Sequence, residues 1–98
     1  MYTVYIKAVD PECNVNVDNI EFIWNTENVV MVCTPNHYGT IIYKGKAINA
    51  EVQVDNVVGL IDSAKRESEK SGSPVLLDFS ENIESPKATL QSSQICIY

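Results

Sequence analysis

The stretch DNVVGLIDSAKRESEKS, residues 55–71, decides the fold because it combines helical spacing with clear end signals. Its apolar residues recur at i, i+3, i+4 and i+7, which places them on one face of a helix: Val57, Leu60, Ile61 and Ala64. Asp55 is suited to cap the free amides of the first turn, and Gly72 to end the helix in a left-handed conformation. We therefore predict a helix from Asp55 to Ser71, with Gly59 marking a close approach to a sheet.

Most of the remaining chain alternates in the manner of strands. Extended structure is predicted for residues 2–9, 20–24, 29–33, 40–43, 47–54, 75–79 and 88–98. Residues 13–17 also alternate and fit either an edge strand or a loop. The segments at 20–24 and 29–33 form a predicted hairpin. Residues 29–33 are apolar at every position, which is typical of a central strand, and residues 2–9 are also expected to meet little solvent on either face.

These elements predict a single α+β domain spanning residues 1–98, with a mainly antiparallel sheet of about five to seven strands and the helix packed on one face. Residues 75–79 return after the helix, so parallel pairing can enter there. One helix covers only part of such a sheet. The second face is therefore predicted to be buried by a barrel-like curl or in a homo-oligomer.

The charge of the chain disfavours direct binding of nucleic acid. The 98 residues have a formal net charge of -6 and a sequence pI near 4.5, which repels a phosphate backbone. Residues 1–36 hold five carboxylates against the single cation of Lys7. We therefore expect a protein partner with a basic surface. The chain shows no secretory signal and no apolar stretch long enough for a membrane helix, so a cytoplasmic location and no membrane contact are expected.

The few residues capable of catalysis or metal binding do not form a recognisable motif. Cys33 and His37 are four residues apart and give the hypothesis of a thiol enzyme, whereas the position of Cys33 in an apolar strand favours a buried structural thiol. These two residues could bind zinc together with Cys13 and Cys96, but the spacings lack the close ligand pairs that are typical of structural zinc sites. A disulfide framework is not expected either. No catalytic residue, metal or other cofactor is predicted. The loop carboxylates Asp78, Glu81 and Glu84 are interpreted as solvated charges.

The first functional hypothesis is a small acidic, non-catalytic binding protein, an adaptor or inhibitor of a larger protein with a basic surface. A nucleic-acid-handling complex such as a host-defence effector is one such target, because carboxylates can replace phosphates. The alternative is an oligomeric small-molecule-binding protein with a pocket between subunits, lined by Tyr38, Tyr43 and Lys44. The residues predicted to bind are Asp10, Glu12, Glu21, Trp24, His37, Tyr38, Tyr43 and Lys44.

Overall fold

The computed structural model describes residues 1–26, 28–35, 39–45 and 50–90. Within these ranges the chain forms seven strands and one α-helix, with a short 3₁₀ turn at Val17–Asn19. In chain order the elements are β1 (Val4–Val9), β2 (Glu12–Asn16), β3 (Phe22–Asn25), β4 (Val29–Cys33), β5 (Thr40–Lys44), α1 (Ala50–Ser71), β6 (Val75–Asp78) and β7 (Lys87–Leu90). The α+β prediction is confirmed.

The strands are divided between two sheets instead of one. A four-stranded sheet has the order β2-β1-β6-β7, and a three-stranded sheet has the order β3-β4-β5. All pairs are antiparallel except β1 with β6, the strand that follows α1, where the predicted parallel pairing occurs. The hairpin of β3 and β4 is confirmed, and β4 is the central strand of its sheet. Residues 13–17 resolve into the edge strand β2 and the start of the 3₁₀ turn.

Backbone hydrogen bonds between Asp10 and Ile41 join the two sheets. The Ile41 amide donates to the Asp10 carbonyl at 2.9 Å, and the Asp10 amide donates to the Ile41 carbonyl at 3.4 Å. Both sheets and α1 contribute to one apolar core, which includes Val4, Ile6, Ala8, Val30, Val32, Ile42, Val57, Ile61, Ala64, Val75, Leu77 and Phe79. The predicted apolar face of the helix is thus confirmed, and the helix contacts β1, β3 and β6.

The helix begins at Ala50, so the predicted strand at residues 47–54 is wrong over residues 50–54, and Asp55 is an exposed residue inside the helix instead of its cap. Residues 47–49 lie outside the described ranges. The reason is that Val54 satisfies two patterns, since it continues both the strand alternation before it and the helical spacing toward Val57 and Ile61. Once a helix is nucleated, each added residue gains a hydrogen bond, which favours extension into the ambiguous segment.

Two further expectations need correction. A Cβ atom at Gly59 would meet nothing within 4 Å, so the helix makes no close approach there and this glycine lies on the solvent side. β1 is covered on one face only, because Lys7 and Val9 are exposed while alternate residues are buried in the core. Gly72 has φ +74°, as predicted for a left-handed end, and its amide donates to the Ser68 carbonyl at 2.9 Å.

The C-terminal prediction can be compared with the structure only in part. β7 confirms extended structure up to Leu90, whereas residues 91–98, which include Cys96, lie outside the described ranges. In the part of the chain that the structure describes, no helix is long and apolar enough to cross a membrane.

Candidate functional site

The register of the three-stranded sheet builds an apolar surface on the side away from the core. Trp24 pairs with Met31, and Met31 pairs with Ile41, so the three side chains form a row across the sheet. Phe22, two residues before Trp24, lies on the same face. The opposite side of the same strands supplies Val30, Val32 and other residues to the core. We call the surface formed by Phe22, Trp24, Met31 and Ile41 the aromatic face.

Two rings dominate this face. The centroids of Phe22 and Trp24 are 5.1 Å apart and the ring planes are tilted by 33°, a favourable arrangement for an aromatic pair. Phe22 is 47% exposed, and Trp24 is partly buried. Gly39, at φ +85°, lies against the indole, since a Cβ atom there would be 3.8 Å from both Trp24 Cη2 and Met31 Sδ. The indole is therefore held in place while the phenyl ring meets solvent.

Two of the predicted carboxylates flank the aromatic face. The backbone pairing of Asp10 with Ile41 extends the row of side chains by one position, so Asp10 lies beside Ile41. Glu21 directly precedes Phe22, and its amide donates to the Cys33 carbonyl at 2.8 Å, which continues the ladder of β3 and β4. Both carboxylates are exposed. We call Asp10 and Glu21 the acidic rim.

The other predicted binding residues fall elsewhere. Glu12 is exposed and pairs with Val9 on the four-stranded sheet, beyond the turn that follows Asp10. Tyr43 and Lys44 line a separate cleft of about 410 Å³ together with the loop between β6 and β7. His37 and Tyr38 lie outside the described residues. The structure thus places Asp10 and Glu21 beside the surface that includes Trp24, whereas Tyr43 and Lys44 line the separate cleft.

The thiols favour structural roles. Cys33 is 5% exposed, and its Sγ donates a weak hydrogen bond to the Thr34 carbonyl at 3.9 Å. Cys13 lies on β2, in the other sheet, so the two thiols belong to different sheets. The described ranges contain no group of three or more His, Cys, Asp or Glu side chains able to hold a metal ion.

Asp78 organises the loop next to the cleft. Partial burial alone would raise the pKa of its carboxyl, but hydrogen bonds from the Ser80 amide and hydroxyl, with the charges of Lys7 and Lys87, lower the pKa below its ordinary value. The Ser80 amide lies 2.9 Å from Asp78 Oδ1, and Lys7 Nζ lies 3.9 Å from Oδ2. This carboxylate is therefore engaged in holding the end of β6.

Phe22 is the main residue of the aromatic face that the sequence predictions did not select for binding. The signal was available, because Phe22 and Trp24 are two residues apart in an alternating strand and must share a face. What the alternation does not reveal is which face the core occupies. No protein-family model, curated protein or solved structure matches this chain.

Proposed function

We propose that this chain is a small acidic, non-catalytic binding protein, an adaptor or inhibitor that docks its aromatic face on a larger protein with a basic surface. The observation that carries the proposal is the half-exposed Phe22 ring, stacked on Trp24 and flanked by the acidic rim. Aromatic and methionine side chains at the centre with charged residues around them are typical of protein interfaces.

The apolar part of the face supplies affinity. Full burial of a Phe side chain contributes about 1.5–3 kcal/mol, so covering a ring that is 47% exposed contributes about 1 kcal/mol. The pairing with Trp24 holds the ring before a partner arrives, which reduces the conformational entropy lost on binding. Phe22 and Trp24 are therefore the proposed anchors.

The acidic rim supplies partner selection. Asp10 and Glu21 are exposed, and the chain as a whole has a formal net charge of -6. Such charges steer a basic partner toward the face and mainly affect the association rate, which makes binding weaker at high salt. Proteins that handle nucleic acid, host-defence effectors among them, carry basic surfaces of the kind required, and carboxylates can occupy phosphate positions there.

A random peptide-display selection on the immobilised full chain tests the proposal and requires no candidate partner. We expect enriched peptides to combine Lys or Arg with apolar residues and to bind more weakly as salt rises. Phe22→Ser should weaken capture by about fivefold, which corresponds to the loss of about 1 kcal/mol. The double variant Asp10→Asn with Glu21→Gln should slow association. Val58→Ser is the matched apolar control because Val58 is likewise about half exposed, at 45%, and belongs to α1 instead of the three-stranded sheet. Asp62→Asn with Glu67→Gln is the matched charge control.

Peptides that bind the Phe22→Ser variant as well as the native chain would contradict the proposal. Enrichment without Lys or Arg would also contradict it. Light scattering provides a second check. A homodimer that dissociates in the Phe22→Ser variant would assign the aromatic face to a second copy of the chain instead of a basic partner, which is the predicted homo-oligomer.

A further inference from the structure

β3 lies at an edge of the three-stranded sheet. It pairs with β4 and, among the described strands, has no neighbour on its other side. The hairpin closes with the Thr26 amide donating to the Val29 carbonyl at 3.0 Å. Hydrogen-bonded and non-hydrogen-bonded pairs alternate along an antiparallel ladder, so Trp24 again bonds to β4. Ile23 and Asn25 therefore direct their amides and carbonyls away from β4, toward the edge.

These outward groups have no partner in the part of the chain that the structure describes. The backbones of Ile23 and Asn25 make no hydrogen bond to any element there. Both residues are partly exposed, and Phe22 and Thr26 on either side of them are exposed. An edge with unpaired amides and carbonyls is a template for a further strand.

The other sheet edges have features that discourage such pairing. β2 directly follows Pro11 and begins with a carboxylate, and β7 directly follows Pro86 and begins with Lys87. β5 ends with Lys44, and its outer side is bridged to Asp10. Proline and charged residues at an edge oppose the addition of another chain. The sequence of β3, Phe-Ile-Trp-Asn, has neither.

The charges of the chain favour a basic partner at this edge over a second copy. Glu21 immediately precedes β3 and is exposed, and β3 itself carries no charge. Two copies, each with a formal net charge of -6, repel one another. A segment that contains Lys or Arg is attracted instead, and its alternate side chains would lie beside Phe22 and Trp24.

We infer that β3 is a docking edge, to which the basic partner adds an extended segment as a further strand; the inference rests on the proposed function. The backbone of that segment bonds to the amides and carbonyls of Ile23 and Asn25, and its apolar side chains extend the aromatic face. In strand addition, main-chain hydrogen bonds supply affinity and alternate side chains supply specificity. The recognised segment thus has apolar residues at alternate positions and Lys or Arg among the others.

Amide hydrogen exchange of the full chain, followed residue by residue by NMR, tests the pairing with a short synthetic peptide of alternating Lys and Val. Fluorescence of Trp24 gives the Kd of this peptide. At about ten times Kd, exchange of the Ile23 and Asn25 amides should slow by about tenfold, because about nine-tenths of the chain is bound. The amides of β7, an edge of the other sheet, are the internal control and should exchange as in the free chain.

Two matched pairs isolate the backbone contribution. The same peptide methylated on every backbone nitrogen keeps its charge but cannot donate to the edge carbonyls, so it should bind about tenfold more weakly. In the protein, Asn25→Pro removes the outward amide and no bond to β4, and should weaken binding by about fivefold. Asn25→Ala keeps that amide and should bind as the native chain does. Urea unfolding verifies that both variants are folded; if Asn25→Pro is not, amide exchange in the native chain decides.

Salt-sensitive binding that leaves the Ile23 and Asn25 amides unprotected would overturn strand addition and leave the proposed function intact. Equal protection of β7, or equal affinity of the methylated peptide, would also overturn it. So would absence of binding by the Lys-Val peptide when display-selected peptides bind in a manner that depends on Phe22. Protection of the two amides in a homodimer without peptide would assign the edge to a second copy. The proposed function fails separately, when selected peptides bind equally to the Phe22→Ser variant.

Discussion

The hydroxyl of Ser68 connects three parts of the fold that are distant in sequence, and Ser68→Ala is therefore an informative perturbation. Ser68 is 2% exposed near the end of α1. Its Oγ accepts a hydrogen bond from the Thr3 amide at 2.9 Å and donates to the Ser73 carbonyl at 2.8 Å. The same hydroxyl therefore connects the helix end, the residue before β1 and the turn into β6.

The expected cost follows from these contacts. Each net hydrogen bond contributes about 1 kcal/mol, so loss of both costs about 2 kcal/mol, and the Thr3 amide is left without this acceptor in a partly buried position. Ala has a better helix propensity than Ser, which offsets about 0.5 kcal/mol of this loss. We expect Ser68→Ala to lower the free energy of unfolding by about 1.5–2 kcal/mol.

Urea unfolding followed by tryptophan fluorescence measures this change, since Trp24 is the single Trp of the chain. With a slope of about 1–1.5 kcal/mol/M for a domain of this size, the midpoint should fall by about 1–2 M. Ser63→Ala is the matched control on the same helix, because Ser63 is exposed and only accepts a bond from Arg66 at 3.2 Å. Its stability should stay within about 0.5 kcal/mol of the native chain.

Both variants gain the helix propensity of Ala, so this contribution cancels in the difference between their free energies of unfolding. If Ser68→Ala and Ser63→Ala unfolded at the same urea concentration, the Ser68 hydroxyl would not connect helix, strand and turn as described. A lower midpoint with a changed slope would point instead to an altered unfolded state, and would refute the assignment of the loss to these hydrogen bonds.

Three further substitutions test separate features. Thr40 is 1% exposed, and its hydroxyl has no hydrogen-bond partner among the described residues. Thr40→Val should therefore leave the free energy of unfolding in urea unchanged or raise it by about 1 kcal/mol. A loss above about 1 kcal/mol would contradict this. Gly72→Ala should lower thermal stability by about 1 kcal/mol through backbone strain alone, since φ is +74° and a Cβ would meet nothing within 4 Å; an unchanged melting temperature would contradict it. Because the folded-state pKa of Asp78 lies below its ordinary value of 3.8, its contribution to stability is present above that pH and is lost as pH falls through the folded pKa. The stability difference between the native chain and Asp78→Asn should therefore shrink in unfolding series below pH 3.8, and a difference that stayed constant with pH would show that Ser80 and the lysines do not stabilise the charged form.

The candidate sites show which features can be predicted from local sequence patterns and which cannot. The alternation within residues 20–24 places Phe22 and Trp24 on the same face of a strand, and they share a face in β3. The position of Asp10 beside Ile41 could not be predicted, because it depends on a backbone bridge between residues 31 positions apart, one of which precedes a turn. The Tyr43 cleft likewise requires the end of β5 to meet a loop that follows α1 and β6. Contacts of this kind depend on packing of the whole chain.

By itself the sequence determined that this is an α+β domain with one amphipathic helix, because helical and strand periodicities are local properties of each segment. Only the tertiary structure decided that the helix starts at Ala50, that the strands separate into two sheets, and that the aromatic side of β3 faces solvent. The physical reason is common to all three. Val54 fits a helix or a strand, and an alternating strand has two possible inner faces, so the choice depends on which arrangement buries the most apolar surface in one shared core.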